Sequence, residues 1–395
     1  MKSNWKLDVE RPSAVATKDL SQTEVRSGGL RNACAALQCS SPVQRKSRWE
    51  IPVHRVSAAL VLCALGSAAA TFTLRKVTQL IPITVALIAL VGIVQAASPR
   101  LFGPGVISGP ANDAAPAFAS DGKTVYFFRS NGSDYDILVS HLNAGRWSKP
   151  MIAPFSGRWR DLEPAMAPDG SYMIFASSRP AAHGGKQIDG SWSGQNHPGK
   201  GGNLWRVDRK GKSWSEPVRL PDSINRSNAV FSPSIAADGT IYYMEASGEG
   251  NKFRLYCAQF RNGRYETPEP LPFTAGHDGG VDPAVAPDQS FLVFSSVRPP
   301  AAADQQDLFI AFHKDGEWSE PVHLPDEINR YASIIETHLG SDGHTLYFTS
   351  SYVVPAPYPK DAAAAAQGLK EMRDWNNGLG NIWQVDLTPY LRKPN

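Results

Sequence analysis

The sequence predicts an all-β fold, a five-bladed β-propeller behind a long leader, and three observations carry that expectation. A short apolar run, a turn and a second apolar run recur five times. The turn aspartates are Asp121, Asp169, Asp238, Asp288 and Asp342, which lie 48, 69, 50 and 54 residues apart. Repeats of this length mean stacked supersecondary units rather than one irregular core. Each hairpin is followed by a third strand-like run, and in the first four units by Trp-Ser-x-Pro or a relative of it, giving four short strands per complete unit. Composition agrees, since the chain holds 33 Gly and 31 Pro among 395 residues and is only 19% charged. That suits short strands joined by many turns.

Taken in order, residues 1–55 are polar and basic with no apolar period and read as a disordered leader. Two apolar runs follow, 56–73 and 80–97. The second has the parts of an export signal: Arg75 and Lys76 as its charged start, 80–94 as its apolar core, and Val94-Gln95-Ala96 as a small-residue cleavage site. A periplasmic or secreted protein is the expectation. Such a signal should stand near a start, so either translation begins further downstream, the reading preferred here, or one or two membrane helices hold the chain. Leu62 before Cys63 is too large for a lipidated cysteine. Cys34, Cys39 and Cys63 all precede the repeats, leaving Cys257 as a lone strand residue with the character of a small buried hydrophobe. Net charge is +3, too weak to draw the chain to nucleic acid.

The propeller is expected over 98–395. Unit 2 continues from its hairpin through 203–209 to 214–220, and unit 4 through 307–313 to 318–324. Unit 5 has its third strand at 381–387 but no Trp-Ser-x-Pro segment after it. The missing strand can come from 101–108, which would close the ring and hide two sheet edges. A sixth, partial blade is the fallback. Two long insertions, 181–203 and 352–381, interrupt units 2 and 5, and the second predicts a short helix over 361–373.

The segments APDGSYMIFASSRP, APDQSFLVFSSVRP and SDGHTLYFTSS resemble the TolB-type propeller repeat, a relative of the WD repeat, with its Pro-Asp-Gly turn, aromatic strand and Ser-x-Arg loop. The resemblance covers most of 113–351. It implies a bacterial protein, periplasmic or extracellular, of a family that supplies protein-binding modules and has some enzyme relatives, and it carries no catalytic residue over. Gln289 replaces the turn glycine in the fourth unit.

If the Asp-Gly turns share one end of the ring, the loops around each hairpin share the other. Six residues before the turn aspartates stand Ala115, Glu163, Ser232, Asp282 and Glu336, expected at the mouth of the central channel. Gathered carboxylates repel one another, so Glu163, Asp282 and Glu336 are candidates for acid–base chemistry, for an arginine or for a calcium ion; they also suit bonds to a neighbouring blade's amides. Arg158, Arg179, Arg226, Arg298 and Arg330 are expected around them as ligand-binding residues, together with His338, and a zinc site from His338, Glu336 and His277 has no spacing to support it. Trp192, Tyr358 and Trp375 in the insertions could face a sugar or peptide. Two functions fit: an exported module binding a protein, peptide or glycan, and a carbohydrate-active hydrolase using two of the three carboxylates. No nucleophile elbow, phosphate loop or dinucleotide fingerprint occurs.

Overall fold

The computed structural model describes residues 98–274, 279–302, 305–331 and 334–391. The leader, both apolar runs, the cleavage site and His277 lie outside the described residues.

Five antiparallel sheets make five blades. The innermost strands are Asn112–Phe118, Asp161–Met166, Val230–Ile235, Gly280–Val285 and Ile335–Leu339. Each pairs with the strand after its turn, Thr124–Ser130, Tyr172–Ser177, Ile241–Ser247, Phe291–Ser296 and Thr345–Ser350. These second strands are almost wholly buried, which is why their sequences are near-continuous apolar runs without alternation. Third strands follow in every blade. The Trp-Ser-x-Pro segments divide in two: Trp147, Trp214 and Trp318 close a small hairpin on the third strand, and the next few residues form the outer strand.

Ring closure uses the start of the domain. Arg100–Leu101 pairs with Asn381–Asp386, matching Arg100 with Gln384 and Leu101 with Trp383. The closing strand therefore begins one residue before the stretch expected from the sequence and spans only two residues. Residues 103–108 turn away as a loop, with Ser108 Oγ bonded to the Ile382 carbonyl. There are five blades and no sixth among the described residues.

The five turns are built alike. The turn aspartate accepts the amide of the residue two further on, as in Lys123, Ser171, Thr240, Ser290 and His344. The next residue is left-handed, with φ of 63°, 74°, 87° and 72° at Gly122, Gly170, Gly239 and Gly343. Gln289 takes the same conformation, at 60°. Its turn is thus of the common type, and its side chain ties blade 4 to blade 3 by donating to Asp238 Oδ2 and accepting from the Tyr242 hydroxyl.

Candidate functional site: the channel ring and the loop face

Each innermost strand carries a bulge at the same place, where its register slips against the second strand. The slip spans the residues six and five before the turn aspartate. At the first of these, Ala115, Glu163, Ser232, Asp282 and Glu336 have φ between 48° and 55°. A left-handed residue other than glycine costs about 1 kcal/mol or more, so five in register need a compensating bond. At the second stand Pro116, Pro164, Pro233 and Pro283, residues with no amide to lose from the ladder, and Thr337 in blade 5.

The compensation runs between blades. Glu163 Oε2 accepts the Ser232 amide at 2.5 Å, and Asp282 Oδ2 accepts the Glu336 amide at 2.9 Å. Ser232 Oγ donates to Asp282 Oδ1 at 2.6 Å, and Thr337 Oγ1 donates to the Asp282 carbonyl. The bulge turns an amide out of its own sheet, and a neighbouring carboxylate takes it. Blades 2, 3, 4 and 5 are latched in sequence, and Ala115 of blade 1 carries only a methyl group, which can neither donate nor accept.

These residues stand partway down the channel rather than at its mouth, because they fall within strands of five to seven residues rather than in the loops that enter them. Glu163 is 0% exposed, Asp282 3% and Glu336 1%. Below them, towards the turns, the residue four before each turn aspartate is Ala117, Ala165, Ser234, Ala284 and His338. One imidazole thus occupies a ring of otherwise small side chains, lining a narrow cavity with Ser234, Pro116 and Pro287. Burial pushes His338 down to about 3, so it is neutral at physiological pH.

On the loop face the arginines have different tasks. Arg179 is buried, ion-paired to Asp161 at 2.8 Å, and it donates to Ser177 Oγ and the Phe155 carbonyl. Asp113 and Arg129 form the same kind of pair in blade 1, at 2.6 Å. Burial raises both carboxyls, Asp113 to about 6, against the pull of their arginines. Arg298 donates to Ser296 Oγ and the Phe273 carbonyl while lying over Phe294. Arg226 is paired with Glu245 and lies over Tyr256. Arg158 and Arg330 are exposed, the latter beside the Tyr331 ring. The face therefore holds fewer open cations than the sequence spacing suggested. Sequence reasoning passed over Asp113 and Asp161; an acidic residue eight before the turn with an arginine eight to ten after it was the available sign.

The insertions leave from this face. In the first, Gly190–Trp192 pairs with Gln195–His197, and Trp192 is buried against Phe231 and Phe253 and stacked on His197 at 3.8 Å. In the second, Asp361 caps the helix Ala362–Met372 through the Ala364 amide at 2.7 Å, and no residue of that helix is buried. Val353, Val354, Tyr358, Leu369 and Met372 are exposed here, Tyr358 at 81%. Among the described residues no three His, Cys, Asp or Glu side chains gather as metal ligands, and no helix is long and apolar enough to cross a membrane.

The architecture defines a class, the five-bladed β-propeller with a latched channel. No protein-family model and no curated protein matches the sequence. Among solved structures, a TolB from Agrobacterium tumefaciens aligns over 65% of this chain and 78% of its own, at 17% identity and a TM-score of 0.40. TolB from Acinetobacter baumannii aligns over 79% and 69%, at 11% identity and 0.41. A thermostable family-43 glycoside hydrolase aligns over 72% and 91%, at 11% identity and 0.45. None of these likenesses is strong enough to assign an activity.

Proposed function

We propose that the chain is an exported propeller module, periplasmic or secreted, that binds a protein or peptide partner on its loop face, with the 352–380 insertion as the principal contact. One observation carries this reading. Of nine large hydrophobic side chains exposed among the described residues, five (Val353, Val354, Tyr358, Leu369 and Met372) belong to that insertion, and the other four sit on outer strands. Exposed apolar side chains concentrated in one insertion, two of them on its helix, suit a protein contact better than a sugar, because large exposed apolar patches mark such interfaces. The hydrolase alternative loses support from the ring: both oxygens of Asp282 already accept bonds from protein donors, and Glu163 holds an amide of the next blade. A general acid or base needs access to a substrate proton.

A peptide and glycan array probed with the full chain and with a variant whose residues 356–374 are replaced by a short Gly-Ser linker tests the reading. Peptide signal lost in the variant, with far-UV circular dichroism of the β-sheets retained, is the expected outcome. Glycan signal unchanged by the replacement, with no peptide signal in either protein, would overturn it.

A further inference from the structure

Blades 1 to 4 each send a small hairpin beyond the turn face, because the third strand runs on past its partner. Asn143 pairs with Arg146, Lys210 with Ser213, Arg261 with Arg264 and Lys314 with Glu317. The third strand of blade 5 ends at Asp386, and no such hairpin follows it among the described residues. The four tips share a shape and differ in charge. Those of blades 1, 2 and 3 read Asn-Ala-Gly-Arg, Lys-Gly-Lys-Ser and Arg-Asn-Gly-Arg. They carry Arg146, Lys210, Lys212, Arg261 and Arg264 and no carboxylate. The blade 4 tip, Lys-Asp-Gly-Glu, sets Asp315 and Glu317 against Lys314.

The five cations are open to a partner. All are exposed, and among the described residues only Arg261 of the five has an ion pair, a long contact of 3.8 Å with the exposed Glu266. Glu216 and Glu266 stand back at the hairpin bases, where Ser215 and Glu266 donate their amides to the Asp208 and Gln259 carbonyls. The turn aspartates are taken up by the amides of their own turns. Three consecutive blades therefore present one basic arc. Charges held on separate projecting tips fit an extended anionic surface rather than a single small anion. Among the described residues no large apolar side chain is exposed at these tips, so the contact is with headgroups and not with acyl chains.

The path of the chain selects the surface. The closing strand Arg100–Leu101 is antiparallel to Asn381–Asp386, whose last residue pairs with Thr345 just after the blade 5 turn. The closing strand therefore starts from its turn-face end. Immediately before Ser98 the sequence is the apolar run 80–97, which holds no charged side chain. Such a run, read as export signal or as anchor, belongs in a bilayer. The basic arc and the point of chain entry are separate observations, and both mark the turn face. We infer that the turn face of blades 1–3 is a docking surface for an anionic phospholipid bilayer, with Arg146, Lys210, Lys212, Arg261 and Arg264 set on its headgroups. The turn face lies opposite the loop face, so this docking is independent of the loop-face reading and leaves the 352–380 insertion directed away from the membrane.

Hydrogen–deuterium exchange on the full chain in lipid nanodiscs tests this, comparing discs of phosphatidylcholine alone with discs of phosphatidylcholine and phosphatidylglycerol in equal parts. Exchange over 143–146, 210–213 and 261–264 should be at least about twofold slower in the anionic discs, and about 1 M salt should erase the difference. The acidic tip 314–317 and the helix 362–372 should exchange alike in both. Replacing Arg146, Lys210, Lys212, Arg261 and Arg264 together by glutamine should remove the difference and leave the far-UV circular dichroism unchanged. If that variant does not fold, the lipid and salt comparisons on the parent decide alone. Equal exchange at the basic tips in both discs, a difference that survives salt or the glutamine variant, slowing of 362–372 in place of the tips, or a chain that joins neither disc would overturn the assignment. Slowing by soluble dextran sulfate without slowing by the anionic discs would also overturn it, in favour of a polyanionic chain.

Discussion

The two insertions leave the propeller at the same point of their blades, yet they are opposite objects. The blade 2 insertion is bound into the scaffold: Trp192 fills a gap between Phe231 and Phe253, Gln187 donates to Ser178 Oγ and to the Gly199 carbonyl, and Asn251 of blade 3 donates to the Ser191 carbonyl. Among the described residues the blade 5 insertion is fastened near its base, where Asn376 and Val354 exchange hydrogen bonds, Asn381 donates to the Trp375 carbonyl, and Tyr352 packs on Tyr331 and Trp383. Beyond that base its apolar side chains face solvent. Loop length alone says that a segment is unusual; what its aromatic residues touch says whether it serves the fold or waits for a partner.

This contrast predicts its largest effect at Trp192. Trp192→Ala should lower unfolding free energy by about 3–5 kcal/mol, the range for emptying a buried tryptophan site, as read by denaturant titration. A loss below about 1 kcal/mol would place the first insertion with the second. The channel latch comes next. Asp282→Ala leaves the Ser232 hydroxyl and the Glu336 amide without their acceptor, so about 3 kcal/mol should be lost, and amide exchange at residue 336 should quicken. An unchanged exchange rate would mean that the bulge amides do not depend on the carboxylates.

A smaller, pH-dependent effect belongs to His338. Its folded value of about 3 lies below the ordinary 6.5, so between those limits the unfolded chain binds a proton that the fold excludes. Stability should fall as pH drops below 6.5, by about 1.4 kcal/mol per pH unit. Asp113 acts in the opposite sense: its folded value of about 6 exceeds the ordinary 3.8, so its contribution is complete below 3.8 and lost as pH rises to 6. Between pH 4 and 6 the two slopes oppose each other. His338→Leu should therefore leave a protein that gains stability on acidification relative to the parent, by about 1.4 kcal/mol per unit over that interval. Parallel curves for the two proteins would show that His338 is protonated in the fold.

The ring architecture was legible because its signals are local: a turn begun by an aspartate, four times Asp-Gly and once Asp-Gln, fixes a hairpin, and five such turns at near-regular spacing fix a ring. Closure by the first strand was legible too, since a blade lacking its last strand must borrow one. The task of Glu163 and Asp282 was not. A carboxylate six residues before a turn reads the same whether it meets a substrate or an amide, and only the slip of register decides. Yet Pro116, Pro164, Pro233 and Pro283 were a readable sign, because a proline recurring inside innermost strands has no place in a regular ladder. Arg179 and Arg298 show the converse. Their shared spacing gives both the same position, ten residues after a turn aspartate, but the carbonyls of Phe155 and Phe273 that turn them inward belong to loops whose course no spacing reveals.

The smallest effect is the one that defines the free insertion. Tyr358 is 81% exposed and Leu369 45% exposed, so replacing both by serine removes little buried area and opens no enclosed cavity. Stability should stay within about 0.5 kcal/mol of the parent, the usual range for surface positions. Solubility should rise, since an exposed apolar cluster favours self-association. The same pair should nonetheless weaken any loop-face partner by at least tenfold, because side chains that contribute nothing to folding have their apolar surface available for an interface. A double variant that lost 2 kcal/mol or more would mean that the helix packs on the ring in solution, and the two insertions would then be alike.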